Sequence, residues 1–533
     1  MWYRMLRSVL WVTLVAISGC GGGSGGGATP SGPGPVMGTV PVAPAGASAT
    51  AGDAQVVLTW NAVAGATGYY ANRSTSAGGP YTRLAATNTA SFTDTSLANG
   101  VTYYYVITAF NAAGTGAQSS EVSATPVAVV IRPPVTIDFA ATRQIIRGFG
   151  GSSAWITDMN SRPGMADRLF GNTGSEQIGL SILRVRIDPS PDPGNHANWL
   201  TELNNARLAS ARGARVIASP WSPPATMKSN GDVNNGGSLN PDRYADYAQY
   251  LQSFVSYMED GGAPLYAISI QNEPDWSPTY ESCVWTGEQL RTWITGHASV
   301  LTTRLIMPEA VNLFPGSLPS LADPTLNDPA AAAHVDIVGT HIYGSTPAAY
   351  ANAVSRNKEV WMTEHTVESS GMQGAMDLAR EIHQSLAVAN YNAYVYWWLQ
   401  NWIVGNSSPY EAGLINDPAL DLSLTKKGYV LGQFAKFVRP DFVRVEATAN
   451  PSAGIHVSSY KDTANGRFVI VVINTDQAAI SQPFTIQGQA ISQLTPYRTS
   501  ATENIVQLAD ILVLNDSFNY TLPGSSVTTF VQL

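Results

Sequence analysis

Cysteine is nearly absent: the 533-residue chain has two, Cys20 and Cys283. Two cysteines cannot build a disulfide framework, and zinc sites made from cysteine pairs are excluded. Charge is also scarce. Asp, Glu, Lys and Arg make up 13% of the chain, against about 25% in an average globular protein. Gly, Ser, Thr and Asn fill the difference, a neutral polar surface more typical of exported than of cytosolic proteins. No basic excess is present, since 29 Lys and Arg stand against 38 Asp and Glu for a net charge of −9. Without a basic stripe, nucleic acid is not an expected partner, and neither is simple electrostatic attachment to anionic lipid. No apolar stretch, the nine-residue N-terminal run included, is long enough to cross a membrane as a stable anchor.

That N-terminal run is informative. Arg4 and Arg7 precede "VLWVTLVAI" (9–17), the layout of an export signal rather than a stable anchor. It ends in "ISGC" (17–20), which resembles a bacterial lipoprotein lipobox. The resemblance makes residues 1–20 a lipoprotein signal peptide and Cys20 the lipidated first residue of the mature chain. An ordinary signal peptide cut near Gly19 is the alternative. The expected localisation is exported and membrane-anchored at the cell envelope, or extracellular. Residues 21–40 open with "GGGSGGGATPSGPGP" and read as a flexible tether. Cys283 reads as a small buried hydrophobe rather than a nucleophile.

Three folded regions are expected. Over 41–126, runs such as "AQVVLTWNAV" (54–63) and "TYYYVITAFN" (102–111) alternate at period two, and Gly, Asn and Pro clusters separate them. Trp60 on the second strand, and Tyr103 where a tyrosine corner would fall, make this segment resemble a fibronectin type III domain. It carries no plausible catalytic cluster and reads as a spacer or weak interaction module. Residues 127–146 form a proline-bearing linker and a strand expected to join the C-terminal domain. Residues 438–533 alternate again, as in "GRFVIVVIN" (466–474), and predict a β-sandwich side domain.

Between them, over 147–437, short β-rich runs alternate with amphipathic helical spacing, the pattern of βα units around a parallel sheet. Eight strand candidates occur: "RGFGGSS" (147–153), "LSILRVRI" (180–187), "ARVIAS" (214–219), "LYAISI" (265–270), "TRLIMP" (303–308), "VDIVGT" (335–340), "EVWMT" (359–363) and "AYVYWWL" (393–399). Eight strands over this length predict a (β/α)₈ TIM barrel, which needs about 250 residues. The fold class is thus multidomain: a fibronectin-like β-sandwich, a TIM barrel and a β-sandwich side domain.

Catalytic side chains in such a barrel lie at the C-terminal ends of the strands. Glu273 follows strand four in "SIQNEPDW" (269–276), and Glu364 closes strand seven in "VWMTEHT" (360–366). Both therefore rise from one rim, about three βα units apart. Two facing carboxylates, without metal ligands or a phosphate loop, suit glycoside hydrolysis. Glu364 is expected ionised, and its charge is expected to raise the Glu273 pKa so that a proton is available. Asn272, beside the acid, can donate to a sugar 2-hydroxyl. Either glutamate taken alone could equally be half of a structural ion pair at a strand end.

The pairing of Asn-Glu-Pro after strand four with a glutamate closing strand seven resembles the large clan of retaining (β/α)₈ glycosidases. Within it, "GFGGSSAWI" (148–156), "SPWSPPATMKSNG" (219–231), "IQNEPDW" (270–276), "HIYG" (341–344), "WMTEHT" (361–366) and "YWW" (396–398) make residues 135–533 resemble glycoside hydrolase family 30. The resemblance implies Glu273 as acid/base and Glu364 as nucleophile. "SPPATMKSNG" and the segment from "NEPDW" to "YESCVW" are most similar to the xylan-degrading branch. One group there reads a glucuronic acid branch with an arginine in the loop after strand eight. Here that region is "WWLQNWIVGNSSPYEAGLIND" (397–417), and no arginine occurs between Arg380 and Arg439. A carboxylate branch would lack its charge-assisted partner. The expected activity is endo-β-1,4-xylanase on linear or arabinose-substituted xylan, without strict need for glucuronic acid branches. The alternatives are a glucuronoxylan-specific xylanase, a β-1,6-glucanase, or a non-catalytic glycan-binding surface lipoprotein.

A glycan cleft needs aromatic platforms. Trp155, Trp221, Tyr343 and Trp397 sit just past barrel strands, and Trp276 lies beside the acid. Barrel-top packing is the alternative for each. His341 could bond substrate or Glu364, or be a satisfied structural histidine. Of Arg184 and Arg186, which flank Val185 on strand two, one is expected inside the barrel, orienting Glu364 or its neighbours. Glu309, Asp188 and Glu281 are expected to make loop contacts near the rim. No cluster has metal-ligand spacing in the sequence, so no metal and no cofactor is expected. The expected partners are the polysaccharide substrate, xylan, and a membrane through the Cys20 lipid, with the protein acting as a monomer.

Overall fold

The computed structural model describes residues 38–128, 130–131, 133–156, 158–189, 197–401, 412–416 and 421–532. The signal peptide, Cys20, the tether to residue 37 and most of the loop after strand eight lie outside the described residues. The chain forms two compact units that divide after Pro126.

In the first unit two antiparallel sheets enclose one core. One sheet has three strands, Ser48–Gly52, Gln55–Thr59 and Ser91–Thr95. The other has five, including Gly68–Ser74 and Tyr103–Asn111. Period-two alternation turns Val56, Leu58, Tyr105 and Ile107 inward, and Trp60 packs edge-on against Tyr69 at 5.2 Å. The Tyr103 hydroxyl accepts the Ala98 N–H at 3.0 Å, the local bond that a tyrosine corner makes.

The second unit holds a closed eight-stranded parallel barrel and a β-sandwich. The barrel strands are β1 (Gly148–Ser152), β2 (Ile182–Ile187), β3 (Arg215–Pro220), β4 (Ala267–Ser269), β5 (Arg304–Ala310), β6 (Ile337–His341), β7 (Glu359–Glu364) and β8 (Ala393–Tyr396). All eight fall within or against the stretches expected from sequence. The floor of the barrel interior is apolar: Ile182, Ile217, Ala267, Ile306, Ile337, Trp361, Ala393 and Val395 form one cluster. Tyr266 stacks on Trp361 at 5.8 Å from below, with the Arg215 and Arg304 guanidinium groups over its ring. Outward-facing residues of the same strands pack on the surrounding helices in a second, larger core.

The helices obey local signals. Gly287–His297 starts with a full capping box, Thr286 to Gln289. Tyr244–Asp260 buries Tyr247, Ala248, Leu251, Phe254, Val255 and Met258 on one stripe. The sandwich spans Val443–Ala447 to Ser526–Val531. The Val135–Ile145 strand, which precedes the barrel, pairs antiparallel with Val443–Ala447 and parallel with Ile480–Gln487. Chain that enters the barrel thus first closes the sandwich.

Candidate active site

The site is built where the barrel interior changes from apolar to polar. On β2 the inward set runs Ile182, Arg184, Arg186, so strand periodicity alone lifts two guanidinium groups toward the mouth. Both arginines take this face, where only one was expected inside. On β5 and β7 periodicity fails. Ile306 and Trp361 point inward, which would send Glu309 and Glu364 outward three residues later. The β5–β6 ladder shifts register between Pro308 and Ala310, and the β6–β7 ladder shifts between Thr340 and His341, leaving Thr363 unpaired. Each shift is a β-bulge that re-aims the following side chains and turns both carboxylates into the barrel.

Glu273 arrives differently. Its backbone is left-handed at φ 47°, as is that of Glu309 at 56° and Trp155 at 57°. Such residues cost on the order of 1–3 kcal/mol each and persist where the surroundings enforce them. Here the Glu273 N–H donates to the Glu309 carbonyl at 3.1 Å, and the Asn272 N–H donates to the Pro220 carbonyl at 2.8 Å. The turn after β4 is thereby tied to β3 and β5.

The two glutamates converge. Ligating atoms of Glu273, His341 and Glu364 all lie within 4.8 Å of one another. Glu364 has both oxygens held: Arg184 Nη1 donates to Oε2 at 2.6 Å and the Tyr343 hydroxyl to Oε1 at 2.9 Å. Arg184 is fully buried and also approaches Glu309 at 3.2 Å and Asn272 Oδ1 at 2.6 Å. Because the Asn272 oxygen is taken by Arg184, its NH₂ group is the end left to face the cleft. Ser219 bridges the Arg184 Nε and the Glu309 carboxylate. His341 Nδ1 stands 3.0 Å from Glu273 Oε1 and 4.0 Å from Glu364. Its partner is therefore the acid on β4 rather than Glu364.

Electrostatics separate the carboxyls. Burial pushes Glu273 up to about 7; Arg184 opposes this, while Asp275 and Glu309 add to it. The main cause is desolvation, not the charge of Glu364 that the sequence suggested. Burial also pushes Glu364 up, and His341, Arg184 and the Tyr343 hydroxyl all oppose that. Glu364 alone of the two has a guanidinium within hydrogen-bond distance, which favours its ionised form over that of Glu273. Glu309, although buried, is held below the usual carboxylate range by Arg184 and His341. Burial holds His341 below the usual imidazole range, against the pull of Glu364 and Glu309. The His341 Nδ1 contact occupies Oε1 of Glu273 and leaves Oε2 of that acid for another partner.

The cleft above these groups measures about 930 Å³ and is lined by Trp155, Trp221, Trp276, Tyr343, Trp397 and both glutamates, together with Tyr280, Asn312 and Trp398. Trp155 meets Trp221 edge-on at 5.0 Å, and Trp397 stacks on Trp398 at 4.6 Å. Arg184 lies 4.7 Å over Trp221 and Arg186 lies 5.0 Å over Trp155, contacts that set the planes of these rings. Trp276 and Tyr280 are half exposed at the opposite lip. Tyr343 is less a platform than a hydroxyl donor to Glu364.

Several expectations are corrected. Glu309 does not sit in a loop contact; it is fully buried beside Arg184. Asp188 and Glu281 both bind Arg186, at 2.8 Å and 2.9 Å, which fixes the loop that carries Tyr280. Cys283 is buried, and burial pushes its thiol up to about 12, an inert state for a nucleophile. The sequence showed no metal-ligand spacing, whereas among the described residues Glu273, His341 and Glu364 do reach a spacing that could hold an ion. The buried Arg184 cation on Glu364 Oε2 disfavours a second cation there by like-charge repulsion. Sequence reasoning missed Tyr280, Asn312 and Trp398; the aromatic pair could have been found by extending the platform search along "YESCVW" and "YWW".

Comparison with known proteins agrees with this geometry. Residues 197–409 match the model of the glycosyl hydrolase family 30 TIM-barrel domain, and residues 443–530 match that of the family 30 beta sandwich domain. Glucuronoxylanase XynC of Bacillus subtilis (strain 168) is 35% identical over 419 residues, covering 76% of this chain and 92% of that protein. Among solved structures, the family 30 subfamily 8 xylanase Xyn30A of Clostridium acetobutylicum is 42% identical with a TM-score of 0.69, covering 75% of this chain and 99% of the other. A family 30 endoxylanase of Clostridium papyrosolvens C71 is 38% identical with a TM-score of 0.66, with the same coverage.

Proposed function

The chain belongs to glycoside hydrolase family 30, and from that premise we propose that it is a retaining endo-β-1,4-xylanase in which Glu364 is the nucleophile and Glu273 the acid/base. The single observation behind the mechanism is that carboxyl oxygens of the two residues lie within 4.8 Å of each other. Retaining enzymes hold their carboxyls roughly 5–5.5 Å apart, whereas inverting enzymes leave about 6.5–9.5 Å for a water.

In the first step a Glu364 oxygen bonds to the anomeric carbon as the glycosidic C–O bond breaks. The Glu273 proton passes to the leaving oxygen. Esterification removes the Glu364 charge, which favours ionisation of Glu273. In the second step Glu273 takes a proton from water, the water oxygen bonds to the same carbon, and Glu364 leaves as carboxylate. Arg184 and Tyr343 hold the Glu364 oxygens through both steps, and the Asn272 amide donates to the sugar 2-hydroxyl. The tryptophan-lined cleft supplies faces for sugar C–H groups.

Xylan is favoured as substrate by the xylanases at 35–42% identity together with the motifs of the xylan-degrading branch. Dependence on glucuronic acid branches is not expected, because residues 397–417 contain no arginine. The test is product analysis on defined xylans, with proton NMR of the newly formed reducing end. A β-anomer formed first, and cleavage of linear xylo-oligosaccharides, are expected. An α-anomer formed first would overturn the mechanism. Cutting only at fixed distances from glucuronic acid branches would favour the glucuronoxylan-specific alternative. We further read the first unit as a fibronectin type III spacer and Cys20 as a lipid anchor, with the catalytic unit displayed outside the membrane. Radiolabelled palmitate incorporation that is lost in Cys20→Ala tests the anchor.

A further inference from the structure

A second cavity, of about 470 Å³, opens between the loop after β6, the segment after β7 and the Gly371–His383 helix. It shares Tyr343 with the catalytic cleft. The helical layer is thin here: β6 is followed by a helix of only four residues, Ala351–Val354, where β7 is followed by thirteen. The cavity thus meets the wall of the catalytic cleft at Tyr343, the residue that donates to Glu364, and it is large enough for a monosaccharide.

Its chemistry differs from that of the cleft. Glu368, Asp377 and Glu381 contribute carboxylates, and Thr346 contributes a hydroxyl. Asp377 is held by Arg380 at 3.0 Å, Ser369 at 2.7 Å and Gln373 at 3.1 Å, and Glu381 by His365 at 2.9 Å and by the Tyr394 hydroxyl, so the exposed Glu368 is the carboxylate best placed to meet a ligand. The Thr366 hydroxyl in the wall makes no hydrogen bond within the protein. Glu368 can accept hydrogen bonds from a sugar's hydroxyls, and the excess of carboxylate over guanidinium in the wall repels an acid. Tyr343 and Pro347 supply the apolar surface a sugar ring needs.

We propose that this cavity is a side pocket for a neutral pentosyl substituent on the xylan chain, and that its carboxylates discriminate against a uronic acid branch. The proposal rests on the xylanase reading above and deepens it. The cleft itself, lined by aromatic rings, accommodates the backbone, and the acidic side pocket decides which decorations the backbone may carry.

The experiment compares kcat/KM for linear xylohexaose, an arabinose-substituted xylo-oligosaccharide and a glucuronic acid-substituted one, in the full chain and two variants. Thr346→Trp fills the exposed rim of the cavity. It should lower kcat/KM for the arabinose-substituted substrate about tenfold, within the range a misfitted pocket gives, and leave xylohexaose within about twofold. Glu368→Lys reverses one exposed charge and should raise the ratio for the uronate-substituted substrate about threefold or more. Equal losses on all substrates, or unchanged ratios in both variants, would overturn the side pocket while leaving the xylanase reading intact. No hydrolysis of any xylan by the unmodified protein would overturn both.

Discussion

The floor and the mouth of the barrel interior are made by the same eight strands, yet they obey opposite rules. The floor is Ile182, Ile217, Ile306, Ile337 and Trp361 in close contact, where burial of apolar area stabilises and the one polar group, the Trp361 indole N–H, donates to Glu359 at 2.9 Å. Two residues further along β2, Arg184 is equally buried, but it is surrounded by Glu309, Glu364 and Asn272. Desolvating those charges costs several kcal/mol per ion before their attraction is counted. The mouth is therefore held at the expense of stability, and the floor supplies the stability that tolerates it. Changes at the mouth should alter rate far more than folding, and changes at the floor the reverse.

The strongest way to break that contrast is Glu364→Gln. Removing the nucleophile while keeping its shape should lower kcat roughly ten-thousand-fold or more, with the melting temperature unchanged or raised. An active variant would mean the nucleophile lies elsewhere. Next is Glu273→Gln, for which steady-state kinetics should show a loss of about 10²–10⁴-fold. The pH profile sharpens the assignment. In the proposed mechanism Glu273 is the acid, and burial raises it to about 7, so kcat/KM should fall as pH rises through 7. The Glu273→Gln variant should lose that basic limb.

The floor answers differently. Trp361→Ala leaves a cavity under the site and should cost about 3–5 kcal/mol in denaturant unfolding. The kcat of the folded fraction should stay within about threefold. A selective collapse of kcat with stability intact would erase the distinction between floor and mouth. The smallest effect concerns Glu202, buried behind β2, where it accepts the Ser153 hydroxyl at 2.5 Å. Burial raises its pKa to about 8, so the folded state holds a proton that the unfolded chain loses near its ordinary value of 4.5. The stability this confers is complete below about pH 4.5 and is lost progressively as pH rises toward 8. Thermal scans should show the melting temperature falling over that window by a few degrees, and Glu202→Gln should flatten the slope.

Much of this was legible in the sequence, and the reason is periodicity. Eight β-rich runs separated by amphipathic helical spacing leave few architectures other than a closed barrel. The rule that catalysis sits at strand C-termini then points to Glu273 and Glu364, although Glu309 at the end of β5 satisfies it too. The aromatic lining was legible one residue at a time but not as a cluster, because contacts such as Trp155 with Trp221 join β1 to β3. Glu309 was misplaced for a related reason: its neighbours Arg184 and Ser219 come from β2 and β3, and nothing in "MPEAV" announces them.

The sequence by itself determined the barrel and the sandwich and singled out the two carboxylates proposed for catalysis, because hydrophobic period and strand order are local properties of a chain. Only the tertiary structure decided which way those carboxylates point and which one keeps the proton. Alternation from Trp361 and Ile306 would have turned Glu364 and Glu309 outward; bulges set by pairing with β6 turned them in. One buried guanidinium reaches Glu364 and not Glu273, which favours the proton on Glu273, and that difference exists only once eight strands have closed into a ring.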